Sequence, residues 1–131
     1  MVERIAAPEE LENLLASETR LVLLEFVSPG CAACLRLQPH VEALAREEGP
    51  GCRVVEVDVS RVADLALRYG VTRTPTFVFV KSGQEVTRYR AAAPLAGGRR
   101  RAVEPAYGAQ SGTSTSVARQ QYQAAIERQG R

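Results

Sequence analysis

The sequence predicts an α/β domain with a central mixed sheet, mostly of parallel strands, with helices on both faces and an antiparallel hairpin at its C-terminal end. Three observations carry this. Leu21–Val27 (LVLLEFV) is short and almost continuously apolar, the pattern of a strand buried on both faces. Strand and helix patterns alternate as β-α-β-α-β-α-β-β up to residue 90, an order that builds parallel sheets. The last two strand patterns are joined only by a turn at Ser82-Gly83, too short for a crossover.

Each element has its own local signal. Val2–Ile5 reads as a first strand. Pro8 suits the first position of a helix, and Glu9, Glu10 and Glu12 lie toward its positive dipole end. Leu11, Leu14 and Leu15 form an apolar stripe, which Thr19 and Arg20 interrupt. Ser28, Pro29 and Gly30 end the apolar strand. Ala32 to about Glu48, rich in Ala, Leu and Arg, reads as a helix stopped by Gly49-Pro50-Gly51. Pro39 falls inside it and is expected to bend it. Arg53–Val59 (RVVEVDV) reads as a second central strand. Ser60 is expected to cap a helix running to Tyr69, with Gly70 as its stop. Thr76–Val80 and Glu85–Arg90 complete the sheet as a hairpin. No internal repeat is visible.

Composition sets bounds. The chain has 131 residues, 45% of them hydrophobic, which suits one domain with a proper core. A net charge of +2 is too small to argue for nucleic acid or a membrane surface. Charge is uneven: residues 1–90 hold 11 Lys and Arg against 13 Asp and Glu, and residues 91–131 hold 6 against 2. We read residues 1–92 as the folded domain and residues 93–131 as a basic C-terminal extension. In that extension Gly108–Ser116 reads as a linker and Ser116–Gln129 as a final helix. Three cysteines do not make a secreted disulfide framework. The first 17 residues hold four glutamates and no long apolar run, so no ordinary secretory signal is expected. No stretch approaches the roughly 18–20 apolar residues of a membrane span. These features point to a cytoplasmic, reducing location.

The strongest chemical signal is Cys31-Ala32-Ala33-Cys34, between a buried strand and a helix. A thiolate at a helix start meets unpaired N–H groups and the positive dipole end. Such sites lower a cysteine pKa from about 8.5 into roughly the 3.5–7.5 range. Three residues on, Cys34 lies one turn along, within reach of a disulfide. Cys31 is then expected to be the exposed nucleophile and Cys34 the buried resolving thiol. Two inert core cysteines are one alternative. A zinc site is another, but it needs two more ligands, and only Cys52 and His40 are on offer, with His40 on another helix face. No metal and no organic cofactor is expected. Glu25 interrupts an apolar strand, so its carboxylate is expected inside, where burial raises its pKa and suits it to accept a thiol proton. The alternative is a solvated, edge-facing Glu25. Thr74-Pro75 opens the TFVFV strand. Spacing alone favours a trans bond there; a cis bond would set the Thr74 backbone beside the sulfurs, open to pairing with an extended chain.

LVLLEFVSPGCAACLRLQP, RVVEVDVS and RYGVTRTPTFVFVKSGQEV, in this order, resemble the thioredoxin family. The resemblance spans roughly residues 2–90 and implies the thioredoxin fold. It implies that Cys31 and Cys34 are the nucleophilic and resolving cysteines, and that Glu25 is the buried acid six residues before the first of them. It makes Pro39 the kinking proline of the active-site helix and Pro75 the cis-proline, so the Thr74–Pro75 bond is expected to be cis. Thr74, Pro75 and Gly30 are the residues expected to meet substrate. The family's usual motif is Trp-Cys-Gly-Pro-Cys; here Gly30 replaces the tryptophan and Ala32-Ala33 replace Gly-Pro. Val27 stands where a second tryptophan is common, Glu25 replaces an aspartate, and Glu56 stands where a lysine often neighbours the buried acid. Two buried carboxylates in contact would raise each other's pKa.

The implied function is reduction of protein disulfides by dithiol exchange, with a thioredoxin-reductase-like electron donor. The rivals are a redox-inactive binding or adaptor module and an oxidant or isomerase in an exported compartment. The family ends in a helix just after the hairpin, whereas Ala91–Glu104 carries Pro94, Gly97 and Gly98. That helix is therefore poorly formed, or supplied by Ser116–Gln129, or swapped onto a second subunit, giving a monomer or a tail-mediated dimer. Cys52 reads as a buried or loop thiol in preference to a regulatory disulfide.

Overall fold

Every residue of Leu21–Val27 is buried, as a strand covered on both faces requires. The computed structural model of the chain describes residues 2–48 and 51–90. Within them the elements are β1 (Val2–Ile5), α1 (Pro8–Ser17), β2 (Leu21–Val27), α2 (Ala32–Glu48), β3 (Cys52–Asp58), α3 (Ala63–Arg68), β4 (Thr76–Lys81) and β5 (Gln84–Arg90). The readings placed on Gly49 and Pro50 and on residues 91–131 lie outside the described residues.

The strands form one sheet in the order β1-β3-β2-β4-β5. β1 and β2 run parallel to β3, and β4 and β5 are antiparallel to their neighbours. The antiparallel half therefore begins at β4, one strand before the hairpin alone would place it. β4 starts at the end of the sheet where β3 finished, with Thr76 paired to Phe26, and runs back beside β2.

Alternation along β2 sorts the core into two layers. Leu21 and Leu23 pack with Val54, Phe77 and Phe79 against Leu37, Val41, Leu44 and Ala45 of α2. Val22, Leu24 and Phe26 pack with Val55, Val57 and Val78 against Leu11 of α1 and Leu65 of α3. Glu25, in phase with Leu21 and Leu23, belongs to the α2 face.

Several boundaries differ from the sequence expectation, most at β3 and α3. β3 begins at Cys52, which pairs with Leu21, and ends at Asp58. Ser60 does not cap α3: the helix begins at Ala63 after Val62, which makes no side-chain cap bond. The Ser60 N–H and hydroxyl both donate to Asp58 Oδ1, at 2.9 and 2.7 Å, so the local turn takes the side chain that a cap would use. The C-terminal stop is as expected. Gly70 has φ +65°, its N–H donates to the Leu67 carbonyl, and the Val71 N–H donates to that of Ala66. A Cβ on Gly70 would meet nothing within 4 Å, so Gly70→Ala charges only backbone strain. It is expected to lower stability by about 1–2 kcal/mol, read from the urea midpoint at constant slope.

Candidate active site

The short loop after β2 decides where the sulfurs sit. Cys31 holds the N-cap position of α2: its carbonyl accepts the first helical bond, from the Leu35 N–H at 3.1 Å. The Cys34 N–H, the third of the helix, donates to Cys31 Sγ at 3.1 Å. The sulfur thus does what a serine or aspartate oxygen does at an ordinary N-cap. A thiolate there would receive a charge-assisted bond besides the dipole's field. Cys31 and Cys34 are joined in a disulfide, with Cα atoms 5.2 Å apart. Cys31 is partly exposed and Cys34 is buried. Further along α2, Pro39 has no N–H to give the Leu35 carbonyl.

Gly30 has φ +74°, which other residues adopt only with strain, and a Cβ there would meet nothing within 4 Å. The flank of the cysteines is therefore open where the family carries an indole.

The second wall comes from the loop before β4. The Thr74–Pro75 bond is cis. The Thr74 carbonyl oxygen lies 3.6 Å from Cys31 Sγ, placed to accept the thiol proton once the disulfide opens. The Thr74 and Ser28 hydroxyls are 2.6 Å apart, tying this loop to the one that leads into the cysteines. Thr76 adds a local clasp, its hydroxyl donating to the Arg73 carbonyl at 2.6 Å. The sequence reading missed Ser28, because 46 residues separate it from its partner and nothing local marks the pair. Ser28→Ala removes one partly buried hydrogen bond and is expected to cost about 1 kcal/mol in chemical denaturation, with the Cys31–Cys34 bond still forming.

Glu25 lies two residues in from the end of β2 that leads to the cysteines, fully buried. Among the described residues neither of its carboxylate oxygens has a hydrogen-bond partner, so it bonds to neither sulfur in this oxidised state. Burial, first, and then the Glu56 and Glu42 carboxylates push its pKa up to about 8, with Arg4 pulling the other way. Glu25 lies in register with Glu56 on β3, and Glu56 is ion-paired with Arg4 of β1.

The structure brings Cys31, Cys34, Thr74, Pro75 and Gly30 to one end of the sheet, with Glu25 buried behind them. Cys52 starts β3, paired with Leu21 at the other end, and is a buried thiol packed under α2. Among the described residues no group of three His, Cys, Asp or Glu side chains is arranged to hold a metal. Nor is any helix there long and apolar enough to cross a membrane.

The family profile described as Thioredoxin matches residues 3–97. Thioredoxin-2 of Saccharomyces cerevisiae is 34% identical over 96 residues, 73% of this chain and 91% of that protein. Among solved structures, Fasciola hepatica thioredoxin superposes with a TM-score of 0.64 at 38% identity, covering 67% of this chain and 85% of that one. Oxidised mitochondrial thioredoxin 3 of S. cerevisiae gives 0.62 at 30% identity, covering 66% and 80%. With a redox pair capping a helix beside a cis-proline, these likenesses settle the assignment: the chain belongs to the thioredoxin family and is a thiol–disulfide oxidoreductase.

Proposed function

We propose that Cys31 is the attacking thiolate and Cys34 the resolving thiol of a cytoplasmic electron carrier that reduces protein disulfides and is recharged by a thioredoxin-reductase-like donor. The observation that carries the assignment of roles is the Cys34 N–H on Cys31 Sγ, which favours charge on the more exposed sulfur. Cys31 S⁻ attacks one sulfur of the substrate disulfide; that bond breaks, and the departing thiolate takes a proton from solvent. Cys34 S–H passes its proton to the Glu25 carboxylate, and Cys34 S⁻ attacks Cys31 Sγ. The Cys31–Cys34 bond forms, the second substrate thiolate leaves, and two electrons have passed to the substrate. Recharging reverses the proton's path: Glu25 holds it in the oxidised state and returns it to Cys34 when the donor opens the disulfide. Thr74, Pro75 and the open flank at Gly30 receive the substrate backbone in extended form.

The sparse cysteines support the cytoplasmic placement, since a reducing compartment keeps such a pair in turnover. In this reading residues 1–92 are the redox domain, working as a monomer unless residues 93–131 pair two copies. Sedimentation of the full chain reads which. The test of function is insulin reduction driven by NADPH and a thioredoxin reductase: the full chain is expected to precipitate the insulin B chain catalytically. A chain that neither turns over insulin nor cycles its own disulfide would end the proposal.

A further inference from the structure

Four residues in mutual register stand in one row across the sheet: Arg4 on β1, Glu56 on β3, Glu25 on β2 and Phe77 on β4. Residues opposite one another on neighbouring strands share a face, so the row lies under α2. It runs from water into the core. The Arg4 side chain is 74% exposed and that of Glu56 10%, while Glu25 is 0% exposed. The Arg4 guanidinium donates to Glu56 Oε1. Glu25, next in line, is bonded to nothing among the described residues. Of two carboxylates side by side in register, one holds a cation and the other is left to its neighbours' fields.

We propose that the Arg4–Glu56 ion pair is a positioning element for Glu25, setting the pH at which the buried acid exchanges its proton. The inference deepens, and rests on, the reading of Glu25 as the proton store for Cys34. Glu56 presses a negative charge on the adjoining acid and disfavours its ionised form. Arg4 fixes where that charge stands and partly offsets it. The two residues, joined to each other, therefore act on Glu25 with opposite signs. The other elements around Glu25 contribute differently. From α2 comes Glu42, whose carboxylate also disfavours ionisation and accepts a hydrogen bond from Gln38 Nε2 at 3.1 Å. From β4 comes apolar Phe77, and at the start of α2 the disulfide is uncharged. The row alone carries both signs, and its cation comes from an edge strand remote in sequence from the cysteines.

The test follows the Glu25 side-chain carboxyl carbon by NMR in the oxidised full chain, over roughly pH 5 to 10. Glu56→Gln is expected to lower the Glu25 midpoint by about one pH unit, and Arg4→Met to raise it by a smaller amount. Arg4→Lys, which restores the charge, should return the midpoint toward the native one. An ion pair that merely stitched β1 to β3 would shift nothing, or shift both variants the same way; either result overturns the proposal. Should Glu56→Gln fail to fold, Arg4→Met against Arg4→Lys carries the test alone, because only loss of the charge should raise the midpoint. The proton-store reading fails separately: Glu25→Gln would leave the pH profile of the resolving step unchanged, while the shifts above stayed in place.

Discussion

Cys31→Ser is expected to abolish turnover of insulin disulfides, while Cys34→Ser keeps the first attack and accumulates a mixed disulfide. The two outcomes follow from the two positions. At Cys31 the sulfur caps the helix and receives the Cys34 N–H at 3.1 Å. Moving a thiol from about 8.5 to about 7 raises its thiolate fraction at neutral pH from about 3% to about half. No environment of this kind makes a serine alkoxide at pH 7, so the variant has no nucleophile and should run at the uncatalysed rate. At Cys34 the sulfur is buried and bonded to Cys31, 5.2 Å away between Cα atoms. Without it the first mixed disulfide has no internal exit, and mass spectrometry under non-reducing conditions should find substrate attached to Cys31. Cys52→Ala is the control. It pairs with Leu21, six strand positions or about 20 Å from the cysteine end of β2, so turnover should persist. Equal activity in Cys31→Ser and the native chain would remove Cys31 from the mechanism.

What the sequence made legible was whatever is encoded locally. β2 was legible because a strand covered on both faces is short and nearly all apolar, and the acid that interrupts it was expected inside, against the alternative of a solvated edge position. The two core layers then put Glu25 in phase with Leu21 and Leu23. The cysteines were legible for the same reason: a strand end, a Gly30 turn and a helix start follow one another along the chain. The direction of β4 was less so, because a connection of 17 residues between β3 and β4 is long enough for either direction and local pattern does not choose between them. Partnerships across long separations were not legible at all. Ser28 meets Thr74, and Arg4 meets Glu56 beside Glu25, only through strand order and register, which local pattern does not carry. Glu56 was noticed as a second acid; its cation came from β1, where nothing in Val2–Ile5 marks Arg4 as more than a surface charge.

Glu25→Gln is expected to make the protein more stable at alkaline pH and little different near pH 4. In the unfolded chain the carboxyl titrates near its ordinary value of 4.5, and in the fold near 8. Between these values the folded state holds a proton that the unfolded state has already released, so native stability falls as pH rises through the window and levels off above it. The slope is about 1.4 kcal/mol per pH unit, a total of about 4–5 kcal/mol. Glutamine carries no such slope, so the difference between variant and native chain should open across this range in urea denaturation. A difference that stays flat with pH would mean that Glu25 ionises freely in the fold, and the proton-store role would lose its basis. The size of the effect argues for use over structure. Domains of this kind are stable by about 5–15 kcal/mol, and an acid that gives up several of them at working pH, bonded to nothing in the sheet, is not there to hold the sheet together. The same substitution should therefore separate the two roles: gained stability above neutrality, together with loss of the pH dependence of Cys34's attack on Cys31.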